Sequence, residues 1–149
     1  MFVSRRDFDP PSPLSSLNRF SPDGRWIALT SGESGRYEIY VEPYPPTGER
    51  WMISSDGGEE PVWSPQIDEV FIRYGNKWMA VAIKTEPEFS AEPARLLFEG
   101  KFANTPGYSY DIHPDGQRFL VLQRREESSN RLHVIDNWFE ELKRLAPTE

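Results

Sequence analysis

Few residue combinations in this sequence are suited to catalysis, and the first surrounds Ser109. The segment Gly107-Tyr-Ser-Tyr-Asp111 begins like the G-x-S-x-G motif, which exposes a nucleophilic serine on a strand-to-helix turn. Its last position is Asp111 instead of glycine, and the segment precedes a predicted strand instead of joining a strand to a helix. We therefore interpret Ser109 and Tyr110 as residues of an inner strand, and we predict no catalytic residue and no enzyme activity.

The two histidines are the next candidates, as metal ligands. His113 and His133 lie 20 positions apart, outside the H-x-x-H and H-E-x-x-H spacings that place two ligands on one face. The chain has no cysteine, which excludes thiolate metal sites, disulfides and cysteine nucleophiles. We predict that His113 caps a turn and that the chain binds no metal.

Glycine-rich segments could bind calcium or phosphate. Asp56-Gly-Gly-Glu-Glu60 is acidic and glycine-rich, but it lacks the alternating oxygen ligands of a calcium loop, so we interpret it as a solvated connection. No G-x-x-x-x-G-K-[ST] or G-x-G-x-x-G motif occurs, so nucleotide phosphates have no prepared site. The sequence therefore predicts no cofactor.

Charge and hydrophobicity exclude two classes of partner. The 149 residues include 17 Lys or Arg and 24 Asp or Glu, which gives a net charge of −7 and argues against nucleic-acid binding. Arg5-Arg6 and Arg124-Arg125 are isolated pairs and form no basic stripe. No stretch approaches the ~18 apolar residues of a membrane span, and no signal peptide is visible. We expect one soluble domain, with the cytoplasm as the favoured compartment.

A repeated phrase indicates which elements hold these residues. Three copies, each followed by β-prone residues, start 43 and 49 positions apart: Phe20-Ser-Pro-Asp-Gly24, Trp63-Ser-Pro-Gln-Ile67 and Ile112-His-Pro-Asp-Gly116. Proline presets the first turn corner, and Asp-Gly supplies a side-chain cap and a residue free to adopt positive φ, so each copy predicts a hairpin. Because the second copy has Gln66-Ile67 in place of Asp-Gly, its turn is predicted to be looser or of another type.

Further strand candidates follow each hairpin, at Tyr37–Val41, Arg50–Ser54, Trp78–Ile83, Arg95–Glu99 and Leu132–Ile135. Four short strands in about 45 residues is the spacing of antiparallel β-propeller blades. We predict an all-β fold with three such blades, of which the third lacks its outer strand, at 18–54, 60–99 and 108–135. Residues 1–17 precede the blades. An amphipathic α-helix over 136–147 follows them, docked on a sheet or, alternatively, bound to a partner.

These phrases resemble the TolB-like, WD-type propeller repeats that end many bacterial serine/threonine protein kinases and related sensor proteins. The resemblance covers roughly residues 18–147 and is carried by Phe20–Ala28, Ser31–Val41, Glu60–Pro65, Ser109–Leu120 and Asn137–Leu145. It implies a propeller that serves in binding and is attached in relatives to another domain. The sequence contains no kinase segment, so kinase chemistry is not implied.

Three blades form an arc with one uncovered sheet face at each end, whereas propellers usually close with four to eight blades. We expect the uncovered faces to carry Trp26, Phe71, Phe119 and Leu120, and large apolar patches are rare on soluble monomers. Two-fold association would give a six-bladed ring, so we predict a homodimer. We also predict that Met1-Phe-Val3 pairs with the edge of the third blade, in the partner or in its own chain; the alternative is a disordered leader.

The predicted function is a noncatalytic protein-interaction or ligand-binding module that self-associates. Its binding loops should join the outer strand of one blade to the inner strand of the next, at 54–61 and 100–109. The second loop offers groups suited to a peptide or a polar small molecule, namely Lys101, Phe102, Asn104 and Tyr108. The alternative function is that of a detached part of a sensor kinase or hydrolase, which works only with a partner chain.

Overall fold

The computed structural model describes residues 17–123 and 131–135, which form antiparallel β-sheets without a helix. Sheet 1 contains, in spatial order, β1 (Asn18–Phe20), β2 (Trp26–Ser31), β3 (Glu38–Pro43) and β4 (Trp51–Met52). Sheet 2 contains β5 (Glu59–Trp63), β6 (Glu69–Tyr74) and β7 (Lys77–Lys84), with β8 (Ser90–Ala91) and β9 (Arg95–Glu99) both paired to β7. Sheet 3 contains β10 (Tyr110–Ile112), β11 (Phe119–Gln123) and β12 (Arg131–Ile135). The predicted all-β, antiparallel architecture is confirmed for this part of the chain.

Two strands differ from the prediction at the outer edges of the sheets. β4 has two residues instead of the five predicted, although the N–H of Ile53 still donates to the carbonyl of Ile39 at 2.9 Å. β8 was not predicted, because Ser90 and Ala91 have neither alternation nor β-branched side chains. Strand β8 pairs with the last residues of β7, whereas β9 pairs with the first residues of β7.

The three hairpin turns share one geometry. The N–H groups of Ser21, Ser64 and His113 each donate to the carbonyl five residues later, at 2.9, 2.9 and 2.8 Å. The residues at the left-handed corner, Gly24, Ile67 and Gly116, have φ values of 72°, 62° and 72°. The expectation of a looser second turn was therefore wrong.

The second turn keeps this shape because side-chain hydrogen bonds replace the missing Asp-Gly. The hydroxyl of Ser64 accepts a hydrogen bond from the N–H of Gln66 at 3.1 Å and donates to the carboxylate of Asp68 at 2.5 Å. Strands β5 and β6 also fix the length of the connection. Ile67 consequently adopts a backbone conformation that costs a β-branched residue about 1–2 kcal/mol.

The sheets pack face to face, sheet 1 on sheet 2 and sheet 2 on sheet 3. The first interface buries Ala28, Ile39, Val41 and Ile53 against Trp63, Val70, Ile72, Val81 and Ile83. The second buries Val62, Phe71, Trp78, Ala80, Leu97 and Phe98 against Tyr110, Phe119 and Val121. Alternation along β6 sends Val70 and Ile72 toward sheet 1 and Phe71 toward sheet 3.

Three of the residues expected on uncovered faces are instead packed. Phe71 and Phe119 are 1% and 0% exposed and meet edge to face, with ring centroids 5.0 Å apart. Trp26 is half-buried beside Trp51 and Phe89. The prediction was wrong for Phe71 and Phe119 because these rings lie on the faces that sheets 2 and 3 turn toward each other. Leu120 is 36% exposed on the face of sheet 3 that points away from sheet 2.

The faces of sheets 1 and 3 that point away from sheet 2 are called the outer faces below. On the outer face of sheet 1, a buried cluster of Ile27, Leu29 and Tyr40 is bordered by Phe20 and Met52, which are 55% and 52% exposed. These apolar side chains do not contribute to the interface with sheet 2.

Several predictions fall outside the described residues: the helix at 136–147, the strand pairing of Met1-Phe-Val3, and the charges Arg5-Arg6 and Arg124-Arg125. The side chain of His133, whose backbone belongs to β12, is also outside them. Within the part of the chain that the structure describes, no helix is long and apolar enough to cross a membrane.

Candidate functional site

The connections 54–61 and 100–109 meet at one end of sheets 2 and 3, as the sequence predicted. The carboxylate of Glu60 accepts hydrogen bonds from the N–H and the hydroxyl of Ser109, at 2.6 and 2.7 Å. Beside them, Nη1 of Arg73 donates to the carbonyl of Ala103 at 3.1 Å. The two connections are therefore joined through polar groups at the boundary between the sheets.

Glu60 and Arg73 form a buried ion pair at the centre of this boundary. Their side chains are 3% and 4% exposed, and Nη1 of Arg73 lies 3.4 Å from Oε1 of Glu60. Arg73 also donates to the Ser109 hydroxyl and to the carbonyl of Gly75, and its guanidinium lies 4.7 Å from the ring centre of Trp78. Buried charges are tolerated when they are paired and hydrogen-bonded, and both conditions are met here.

A β-bulge directs Glu60 into the interface. The pairing of β5 with β6 shifts register between Glu59 and Val62, and Glu60 has a φ of 55°. Left-handed backbone at a non-glycine residue costs energy and persists where the surroundings enforce it. The hydroxyl of Tyr110 donates to the carbonyl of Glu60 at 2.7 Å and holds the bulge from sheet 3.

Ser109 lies directly before β10, and Tyr110 is the first residue of that strand. The Ser109 side chain is buried, and its hydroxyl donates to Glu60 while accepting from Arg73. A nucleophilic serine requires an accessible oxygen and an adjacent base that can take its proton. In this arrangement the oxygen is enclosed, so Ser109 joins two sheets and is not presented to a substrate.

A related polar cluster holds the connection 54–61 against sheet 1. The carboxylate of Glu38 is 2% exposed and accepts from the N–H of Gly57 at 3.1 Å, from the Ser54 hydroxyl, and from Nε of Arg36 at 2.5 Å. Gly57 has a φ of 101°, and a Cβ there would lie 2.4 Å from the ring of Tyr74, so only glycine fits.

The acidic loop 56–60 is consequently not the solvated connection that its composition indicated. Asp56 is exposed, but Gly57, Gly58 and Glu60 are buried. The prediction was wrong at these positions because the glycines permit close backbone approach and Glu60 finds its cation on another strand.

His113 caps the third turn, as predicted. The N–H of Asp115 donates to Nδ1 of His113 at 3.2 Å, and Nη2 of Arg118 lies 3.0 Å from Nε2. The pKa of Asp115 is lowered by the N–H of Gln117 and, to a lesser degree, by Arg118 and His113. Within 17–122, where side chains are described, no group of three or more His, Cys, Asp or Glu could hold a metal ion.

An exposed cation stands over an aromatic ring at the same end of the molecule. The Arg19 guanidinium carbon lies 4.2 Å from the ring centre of Tyr108, and Nε1 of Trp63 donates to the Arg19 carbonyl at 2.9 Å. Burial raises the pKa of Tyr108 to about 12, with the charge of Glu60 adding to the shift and Arg19 opposing it. In the same loop, Lys101 and Asn104 are exposed, and Phe102 packs edge to face on Trp78 at 4.8 Å.

Sequence reasoning singled out Ser109 and Tyr108, considered Glu60 only as part of a rejected calcium-loop candidate, and missed Arg73 and Arg19. One signal was available, because Glu60 and Ser109 occupy the same position in two copies of the repeat, three residues before Trp63 and Ile112. That equivalence places both at the start of an inner strand, on neighbouring sheets.

No protein-family model matches this chain, and no curated protein matches it. Solved structures do. TolB from Acinetobacter baumannii has a TM-score of 0.53 at 17% identity, over 83% of this chain and 30% of that chain. A protein described as TolB from Agrobacterium tumefaciens has a TM-score of 0.60 at 12% identity, over 84% and 47%. Oligogalacturonate lyase from Vibrio parahaemolyticus has a TM-score of 0.58 at 13% identity, over 84% and 39%.

At these identities the likeness shows the fold alone. The chain spans less than half the length of each of these solved proteins. Its described part has a TolB-like β-propeller fold, and the resemblance noted in the sequence is confirmed at that level.

Proposed function

We propose that this chain is a noncatalytic binding module and that two copies associate to complete one propeller ring. Among the described residues, sheet 2 packs on both neighbours, whereas the outer faces of sheets 1 and 3 contact no other sheet. An arc of this kind agrees with a chain that spans less than half of the solved propellers. Two arcs of three sheets would give six, within the usual range of about four to eight blades.

The observation that carries the proposal is the apolar border of the outer face of sheet 1. Phe20 and Met52 are more than half exposed there, beside the buried cluster of Ile27, Leu29 and Tyr40. Exposed apolar side chains that adjoin an apolar cluster are typical of protein interfaces. We expect sheet 1 of one copy to pack on sheet 3 of the other, twice, about a two-fold axis.

The edge of sheet 3 offers a second contact. β12 pairs with β11, and no strand lies beyond it among the described residues, whereas β4 and β9 occupy that position in sheets 1 and 2. Free edges accept an additional strand through main-chain hydrogen bonds. Met1-Phe-Val3 is a suitable apolar segment, and we propose that it pairs there, in the partner or in its own chain.

The noncatalytic part of the proposal is supported by Ser109. Its hydroxyl is buried and bound on both sides, so the motif fragment that resembled a nucleophile elbow lacks a presented nucleophile. One compared structure is a lyase, but an identity of 13% transfers no activity. A hydrolase screen should show no turnover above that of the Ser109→Ala variant, and turnover lost in that variant would contradict the proposal.

Solution mass tests the self-association. Light scattering of the full chain should give one discrete species of twice the chain mass, which Phe20→Glu should convert to a folded monomer by placing a charge in the interface. Leu96→Glu is the matched control, because Leu96 is 49% exposed on β9, away from both outer faces. A dimer that survives Phe20→Glu would contradict the packing proposed.

Deletion of residues 1–6 tests the strand exchange separately. We expect the truncated chain to dimerise more weakly and to melt at a lower temperature. An unchanged dimer with unchanged melting would refute the pairing of Met1-Phe-Val3. A chain that becomes ordered only with another polypeptide would instead support the alternative, a part of a larger sensor or enzyme assembly.

A further inference from the structure

We infer that Arg19 and Tyr108 form a binding position for a planar carboxylate at the end of the molecule where the connections 54–61 and 100–109 meet. This inference goes beyond the proposed self-association and does not depend on it, because both residues belong to the same chain.

Arg19 differs in its ion pairing from the other arginines of residues 17–122. Every other arginine in residues 17–122 has an acidic partner: Arg25 with Asp23, Arg36 with Glu38, Arg50 with Glu42, Arg73 with Glu60, Arg95 with Glu69, and Arg118 with Asp115. Arg19 has none among the described residues, although it is exposed and the chain carries a net charge of −7. In a protein with excess carboxylates, an arginine without an ion pair is available to an external anion.

Two contacts already position Arg19. Its backbone is held by the indole of Trp63, and its guanidinium lies over the Tyr108 ring at 4.2 Å. A guanidinium carries five N–H donors in a planar fork, and contact of its carbon with a ring face leaves donors that the ring does not occupy. Those groups match the two oxygens of a carboxylate in a bidentate pair.

In the part of the chain that the structure describes, the Tyr108 hydroxyl is an unused hydrogen-bond donor. Its oxygen is buried, and its proton has no acceptor among the described residues, since the nearby Arg19 can only donate. A tyrosine hydroxyl is protonated at neutral pH and is therefore a donor. A carboxylate bound by Arg19 would bring an acceptor to this part of the molecule.

The charge balance selects the class of anion. Glu60, which acts on Tyr108, is already bound by Arg73 and Ser109, so one cationic charge remains for the ligand. A single guanidinium offset by a negative net charge suits a monoanion better than a dianionic phosphate. The carboxylate could be the terminus of a peptide or an acidic side chain, and the experiment separates these sources.

The test uses the full chain and three short alanine peptides acetylated at the N-terminus: one with a free C-terminal carboxylate, one with a C-terminal amide, and one amide with a central glutamate. Binding is followed by calorimetry and by backbone amide NMR shifts at low salt. We expect at least one carboxylate peptide to bind and the neutral amide not to bind. The preferred peptide identifies the source of the carboxylate.

Arg19→Gln should weaken the binding by about tenfold or more, the loss expected for a charge-assisted hydrogen-bonded pair. Arg19→Lys should weaken it less, because the charge remains but the bidentate geometry is lost. The matched control is Lys84→Gln, which removes an exposed positive charge near the hairpin turns. The inference is overturned by equal binding of the neutral amide, by no binding of either carboxylate, or by equal losses in Arg19→Gln and Lys84→Gln.

Discussion

Ser109 donates two hydrogen bonds to one oxygen of Glu60, through its N–H at 2.6 Å and its hydroxyl at 2.7 Å, across the boundary between sheets 2 and 3. This contact uses the hydroxyl that the sequence presents as a nucleophile candidate. Arg73 completes the cluster from β6. All three groups are buried. Removing any one of them therefore leaves the other two with unsatisfied hydrogen bonds or without a counter-charge.

Glu60→Leu is expected to lower the free energy of unfolding by about 3–5 kcal/mol, because it leaves the Arg73 guanidinium buried without a counter-charge. Urea denaturation followed by tryptophan fluorescence measures the change. The double variant Glu60→Leu with Arg73→Met should be more stable than Glu60→Leu alone, since the uncompensated charge is gone. Thr47→Ala, at an exposed loop position, is the control, and a Glu60→Leu loss no larger than the Thr47→Ala loss would contradict the role of the ion pair.

Phe119→Ala is expected to cost about 3–5 kcal/mol, because the ring is fully buried against Phe71 between sheets 2 and 3. Leu120→Ala, at the next position on the opposite face, should cost about 1 kcal/mol or less in the isolated chain. The comparison is made by chemical denaturation at a concentration where the chain is monomeric. Similar losses of stability in the two variants would show that the face of sheet 3 that carries Phe119 is not the one that packs on sheet 2.

Ile67 allows backbone strain to be measured apart from packing. Ile67→Ala and Ile67→Asn both remove the apolar contacts of the isoleucine beyond Cβ, but asparagine tolerates the left-handed conformation that this turn imposes at φ 62°. Ile67→Asn should therefore be more stable than Ile67→Ala by about 1 kcal/mol. Thermal and urea unfolding give the difference, and two variants of equal stability would argue against a strained turn.

Alkaline pH should destabilise the fold through two tyrosines. Burial raises the pKa of Tyr108 from 10.0 to about 12, and burial together with the charge of Glu60 also raises the pKa of Tyr110 well above 10.0. The unfolded chain then releases these protons at lower pH than the folded chain, so the stabilisation is complete below pH 10, and the part due to Tyr108 is lost as pH rises through about 12.

The measurement is the free energy of unfolding across that pH range. Tyr108→Phe removes one of the two groups and should make the decline shallower, whereas Tyr74→Phe, at an exposed position, should leave it in place. A decline unchanged by Tyr108→Phe would show that its hydroxyl titrates alike in both states.

The repeat made much of the fold predictable. Proline and Asp-Gly at the turns act locally, and alternation marks the strands that follow, so the hairpins at Phe20 and Ile112 are visible in the sequence. The turn at Ile67 has the same geometry as the other two, although its residues predicted a looser turn, because the flanking strands impose that geometry. Alternation shows that β6 has two apolar faces. It does not show which face contacts sheet 1 and which contacts sheet 3, because that depends on the order in which the sheets stack.

The polar cluster was less accessible to sequence reasoning. Glu60 and Ser109 lie 49 residues apart, and Arg73 and Ser109 lie 36 apart, so no local motif joins them. The β-bulge that turns Glu60 inward could not be predicted from residue 60 itself, because that residue is neither glycine nor proline. Arg19 and Tyr108 meet only because sheets 1 and 3 both flank sheet 2.

Sedimentation velocity of the full chain across a wide dilution series tests the central proposal most directly. Two copies that close one ring predict a single compact species of twice the chain mass, which dissociates only at the lowest concentrations and is abolished by Phe20→Glu. A compact, well-folded species of single-chain mass at every concentration would contradict it.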